Sequence, residues 1–186
     1  MCRSNFRALS LACCLLFASL ANARNISVGY FSWKEKLVIQ QGPLIDQEQL
    51  QITGYQLHYE RSFFHRNWGF SPGVGLLAGA ATGGSIDGFV DHTVSRVSML
   101  GALVLLKAEY RMNPQVFFSL APGMLYRSVN LPKTEGIQID QVSDFNFTVI
   151  FEQKLRFSPV WDLRFKLGAV TLNASAFWGL DLGHYF

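Results

Sequence analysis

The sequence predicts an all-β fold: a closed antiparallel eight-stranded transmembrane up-and-down β-barrel. Three observations predict it. From residue 25 onward, bulky apolar residues alternate with small or charged ones over segment after segment, and period-2 alternation marks strands with unlike faces. The segments reach the length that a tilted strand needs to cross a bilayer, about 10 residues. They are joined alternately by short turns and longer loops. After residue 23 no apolar run approaches a membrane helix, and no Pro- or Ser-rich linker divides the chain.

Residues 1–23 read as a cleaved export signal. Arg3 and Arg7 supply its basic start, Ala8 to Leu20 its apolar stretch, and Ala21-Asn22-Ala23 a small-x-small cleavage site. The barrel domain is then 24–186. A lipid anchor at Cys13 or Cys14 is disfavoured, because Ser10 and Cys13 stand where that motif wants a Leu-like and a small residue. Cys2, Cys13 and Cys14 all leave with the signal, so the mature domain has no disulfide or thiolate, and its stability must come from elsewhere. Of 16 Lys and Arg, Arg3 and Arg7 are also lost, which leaves 14 against 13 Asp and Glu. That balance gives no argument for nucleic acid.

Taken in order, strand one is expected over Asn25–Lys36, with Ile26, Val28 and Tyr30 on one face. A polar stretch, Gln40–Gln49, follows as the first long loop. The second strand, Leu50–Phe64, points Tyr55, Leu57, Tyr59 and Phe63 outward and Gln56, His58, Glu60 and Ser62 inward. A tight turn at His65–Gly69 leads to strand three, Phe70–Ala80, then a loop over Thr82–His92. Strand four is Ser95–Tyr110 and strand five Val116–Val129, joined by the turn Arg111–Gln115. Residues 130–142 form the third long loop. Strand six, Ser143–Phe157, alternates most cleanly: Phe145, Phe147, Val149 and Phe151 against Asn146, Thr148, Ile150 and Glu152. The turn Ser158-Pro159 precedes strand seven, Trp161–Val170. A short loop near Thr171–Ala174 leads to the closing strand, where Trp178, Leu180, Leu182, His184 and Phe186 share a face.

Charge segregation assigns the faces. Opposite the aromatics stand Glu60, Lys107, Glu109, Arg127, Glu152, Lys154, Arg156, Asp162, Arg164, Lys166 and Asp181. A soluble ligand-binding barrel would turn its aromatic face inward and its charges to water. Here the aromatic face is nearly continuous, whereas the interior of a small barrel needs small residues mixed with large. The aromatic face is therefore expected to meet lipid. Phe63, Trp68 and Phe70, then Tyr110 and Phe118, then Phe157 and Trp161 flank the three tight turns, as an interfacial girdle would. Tyr30, Tyr126 and Trp178 are assigned to the opposite rim.

The final strand resembles the C-terminal signature of bacterial outer-membrane barrels: a last Phe186 preceded by His184, Leu182, Leu180 and Trp178 at alternate places. Nearly the whole chain is similar to the small eight-stranded outer-membrane barrels of the OmpA/OmpX type. The resemblance implies an outer-membrane location, contact with outer-membrane lipid and lipopolysaccharide, a monomer, and recognition by the barrel-assembly machinery through Trp178, Leu180, Leu182, His184 and Phe186.

Eight strands leave an interior that side chains can fill. Glu60, Lys107, Glu109, Glu152, Lys154, Arg156, Asp162, Arg164, Lys166 and Asp181 are expected to cluster near the short-turn ends. Opposite charges can share that space only when paired, so a salt-bridge plug is predicted in place of an open pore. Phe31, Trp33, Phe117 and Phe177 are expected to fill the upper lumen among inward glycines.

No catalytic, metal or cofactor site is expected. Outer-membrane lipid A deacylases carry a His-x-Ser pair near the penultimate strand; the comparable stretch Gly168–Ser175 has Ser175 and no His. His58 reads as a lumen hydrogen-bonding residue, His65 as a turn residue and His184 as a rim residue. Asp87, Asp91 and His92 read as a solvated loop. The expected function is non-enzymatic: a structural or surface-binding barrel acting through its loops. The alternatives are a lipid-modifying enzyme and a narrow gated channel.

Overall fold

The structure, a computed structural model, describes residues 25–41, 44–83, 96–130, 138–139, 143–170 and 176–186; side chains are described at 25–35, 50–83, 96–130, 145–170 and 176–186. The segment 1–23 read as an export signal, the second long loop with Asp87, Asp91 and His92, and the loop at Thr171–Ala174 lie outside these residues.

Every regular element among the described residues is a strand. In order they are β1 (Asn25–Gln41), β2 (Leu44–Glu60), β3 (Phe63–His65), β4 (Trp68–Gly83), β5 (Val97–Arg111), β6 (Val116–Val129), β7 (Gln138–Ile139), β8 (Ser143–Arg156), β9 (Trp161–Ala169) and β10 (Ala176–Tyr185). Eight of them, all but the short β3 and β7, form one antiparallel ring, each paired with its neighbours in chain order. β10 returns to β1 with Asn25 opposite Tyr185 and Ser32 opposite Trp178, which closes the barrel.

The first long loop is corrected. The β1–β2 ladder does not stop at Gln40 but continues to Gln41 opposite Leu44. At a tilt near 40° about 10 residues cross an apolar band about 25 Å tall. The 17-residue strands β1 and β2 therefore stand well clear of it. Beyond the lipid a strand's outer face no longer has to be apolar, so the alternation that reveals a strand fades in the sequence. β7, inside the third long loop, pairs with β1 at Ile39 and Gln40 on this projecting hairpin.

The second strand also differs. It breaks after Glu60 and resumes as β3, yet Glu60 opposite Gly73 and Phe63 opposite Phe70 keep one register. The gap faces Pro72, which has no N–H for the ladder; Arg61 N still donates to Pro72 O at 3.2 Å. His65 pairs with Trp68 across a two-residue turn, and Arg66 takes the positive φ (55°) that such a turn needs. At the second turn Asn113 Oδ1 accepts from the backbone N–H groups of Gln115 and Val116, both at 2.8 Å. Ser158 Oγ accepts likewise from Trp161 N at 2.9 Å in the third.

The barrel is inside-out. Val28, Leu57, Leu76, Leu100, Val104, Leu120, Phe147, Leu167 and Trp178 are exposed, while Glu60, Lys107, Asp162, Arg164 and Lys166 are at most 1% exposed. Water would penalise so wide an apolar surface, and a bilayer would not. The exterior is therefore membrane-facing, and a soluble barrel with a ligand-filled apolar interior is excluded. Aromatic contacts mark both rims. Trp68 stands 4.8 Å from Tyr110 at the short-turn end, and Tyr30 5.3 Å from Trp178 nearer the other.

Candidate functional site

Among the described residues the lumen is where this fold concentrates its ionisable groups. Its lining follows from strand parity. On β2 and β8 the even residues point in, and on β4, β5 and β6 the odd ones, as the burial patterns show. β2, β5, β8, β9 and β10 thus deliver buried ionisable groups, Glu60, Lys107, Glu109, Glu152, Lys154, Asp162, Arg164, Lys166 and Asp181, to the half of the lumen near the short turns.

Glu60 is the hub of that level. Its carboxylate lies 2.6 Å from Lys107 Nζ, 2.8 Å from Arg164 Nη1 and 3.2 Å from Lys154 Nζ. Each cation also holds a second acid. Lys107 reaches Glu152 at 2.8 Å, Lys154 reaches Glu109 at 3.0 Å, and Arg164 reaches Asp162 at 2.7 Å. Lys166 pairs with Asp181 and lies 3.9 Å from Glu152. Neutral groups extend the network. His58 Nε2 donates to Gln56 Oε1 at 2.9 Å, and Gln56 Nε2 donates to Asp181 at 2.6 Å. Arg164 Nη2 donates to Asn25 Oδ1 at 2.5 Å, and Ser62 Oγ to Glu109 at 3.2 Å. The Glu60–Lys154 pair joins opposite walls, because β2 and β8 lie across the ring from each other.

Arg156 is placed differently from the expected network. No ion pair of Arg156 is found among the described residues. Its guanidinium packs over Tyr185 at 4.3 Å and Phe117 at 5.0 Å. Phe117 is likewise not in the upper lumen. It lies at the short-turn mouth, 5.9 Å from the Phe64 ring. Its position on β6, directly after the second turn, puts it at that end.

Above the charges the lumen turns apolar. Phe31, Trp33, Leu50, Ile52, Leu77, Met99, Leu103, Leu105, Leu125, Ile150 and Phe177 form one buried cluster. Phe31 stacks on Trp33 at 5.1 Å, and Phe177 stands 6.2 Å from Trp33. A further ion pair, Arg127 with Glu35, spans from β6 to β1 within the outer part of this cluster, with Glu35 directly opposite Leu50. These two strands also face each other across the ring. Glu35 was missed in the sequence because it sits between Lys34 and Lys36, where a run of charge hides the alternation.

On the outside, His184 lies between Trp161 and Phe186, 4.5 Å and 4.6 Å from their rings. Trp178, Leu180 and Leu182 are exposed on the same face of β10, beside Phe186. Among the described residues no group of His, Cys, Asp and Glu is arranged to hold a metal ion. The charged side chains of the lumen are engaged mainly with one another.

No protein-family model matches the sequence, and no curated protein is similar to it. Solved structures do share the fold. Ail, the attachment invasion locus protein of Yersinia pestis, superposes with a TM-score of 0.55 at 15% identity, over 88% of this chain and 99% of that one. The outer membrane protein OprG of Pseudomonas aeruginosa gives 0.51 at 9% identity, over 88% and 96%. The fold of this chain is that of the small eight-stranded outer-membrane barrels.

Proposed function

We propose that this chain is a non-enzymatic bacterial outer-membrane barrel: a membrane-held scaffold whose lumen is sealed and whose binding capacity lies in its exterior segments. The observation that carries this reading is the two-layer filling of the lumen. The Glu60-centred ion pairs cross one level and the Phe31–Trp33–Phe177 cluster fills the next. An ion would have to break buried pairs and then enter an apolar layer, and each step costs several kcal/mol.

Planar-bilayer recording tests it. The folded protein should show no stable open state, and a long-lived conductance of appreciable size would overturn the sealed-lumen reading. β10 closes the ring on β1 and shows an apolar face outward, which suits recognition by the barrel-assembly machinery as well as lipid contact.

The exterior segments narrow the kind of partner. Residues 36–49, 84–95 and 131–142 carry Asp46, Glu48, Asp87, Asp91, Glu135 and Asp140 against Lys36 and Lys133. One structure of Ail, with a TM-score of 0.50 and 13% identity to this chain, is a complex with the heparin analogue sucrose octasulfate. The acid excess here disfavours a polysulfated sugar and favours a cationic surface. Retention on heparin resin at physiological salt would count against this.

A further inference from the structure

Among the residues whose side chains are described, every acid is buried: Glu35, Glu60, Glu109, Glu152, Asp162 and Asp181. The exposed charges among these residues are therefore basic. At the short-turn end they are Arg61 and Arg66, both exposed, with Arg111 and Arg156 half-buried behind them. All three short turns carry one of these arginines on or beside them. Arg61 follows Tyr55, Leu57 and Tyr59 on the lipid-facing side, and its guanidinium stands 5.1 Å from the Phe63 ring. Arg111 packs 5.2 Å from Phe64 and donates Nη2 to Arg66 O at 3.1 Å. The Nε atoms of Arg111 and Arg156 are buried without a hydrogen-bond partner. None of the four arginines has a carboxylate partner among the described residues.

The same rim bears the aromatic girdle. Arginines that lay their stems on aromatic rings at a membrane edge hold their heads at headgroup level. A cationic collar there, without acids to neutralise it, attracts phosphodiesters. We propose that this rim is a docking collar for anionic phospholipid headgroups, contacted by Arg61 and Arg66, with Arg111 and Arg156 adding positive charge from the lumen mouth behind them. The inference rests on the membrane reading above and adds a lipid selectivity to it.

The test uses the full barrel in nanodiscs of phosphatidylcholine doped with spin-labelled phosphatidylglycerol or phosphatidylcholine. The readout is the motionally restricted lipid fraction. Phosphatidylglycerol should be favoured about two- to fivefold, since each arginine in contact contributes a factor of about five at the few sites that discriminate. Arg61→Gln/Arg66→Gln should lose the preference, and Lys34→Gln/Arg96→Gln, at the other end, should keep it. A heat-modifiable gel shift confirms that each variant is folded. A preference that is absent, or that survives the first variant, or that follows Lys34 and Arg96, overturns the proposal. So does retention on isolated cell-wall polymer that depends on Arg61 and Arg66 without any lipid preference. No restricted lipid of either kind would sink the membrane reading itself, and this inference with it.

Discussion

Removing Lys107 should cost the barrel more than removing the carboxylate hub Glu60, although Glu60 makes more ion pairs. The buried level holds four cations, Lys107, Lys154, Arg164 and Lys166, against five acids, Glu60, Glu109, Glu152, Asp162 and Asp181. Glu60→Gln leaves four of each, and every cation released keeps a second acid within 3.0 Å. The loss is then that of hydrogen bonds to charged groups, about 2–3 kcal/mol. Lys107→Met leaves three cations for five acids, and its two former partners, Glu60 at 2.6 Å and Glu152 at 2.8 Å, lose the ammonium between them. Breaking a buried pair from one side costs about 3–5 kcal/mol. The double variant should cost less than the sum of the two by about 1–3 kcal/mol, because the pair shares one network. Urea unfolding in phosphatidylcholine vesicles, followed by tryptophan fluorescence and by the gel shift of the folded barrel, measures all three. A larger loss for Glu60→Gln, or strict additivity, would refute the charge-balance argument.

Three further outcomes follow from the geometry. Gly29→Ala places a methyl against the Asp181 carboxylate and the Leu180 carbonyl, so it should push Asp181 away from Lys166 and lower stability by about 1–3 kcal/mol in the same unfolding assay. Trp33→Ala removes the ring between Phe31 and Phe177 and should cost about 3–5 kcal/mol, while leaving the ion-pair level below in place; bilayer recording should remain silent, because the charged level still seals the lumen. Asn113→Ala strips the acceptor of two backbone N–H groups from the second turn and should cost about 1 kcal/mol, chiefly by speeding unfolding.

Strand parity was the most legible feature of the chain. On β8, Phe145, Phe147 and Val149 against Asn146, Thr148 and Ile150 state their faces residue by residue, and the burial follows them. Lipid on one side and a polar lumen on the other demand opposite chemistry at every step, so the pattern survives in one dimension. It fails where that demand ends. Above the apolar band the β1–β2 ladder runs on through Gln41 opposite Leu44, although its residues no longer alternate. The break at Arg61–Ser62 depends on Pro72 across the ladder, and no reading of β2 alone reveals its neighbour.

By itself, the amino-acid sequence determined the all-β architecture, the number of barrel strands, and which side chains face the lumen, because those properties depend on alternation and length along one strand. Only the tertiary structure decided who meets whom across the ring. Glu60 collects Lys107, Lys154 and Arg164 from three other strands, Arg127 meets Glu35 from the opposite wall, and Arg156 and Phe117 stack at the mouth outside the ion pairs. These choices depend on the stagger between strands and the width of the closed barrel, which exist only once β10 has paired with β1.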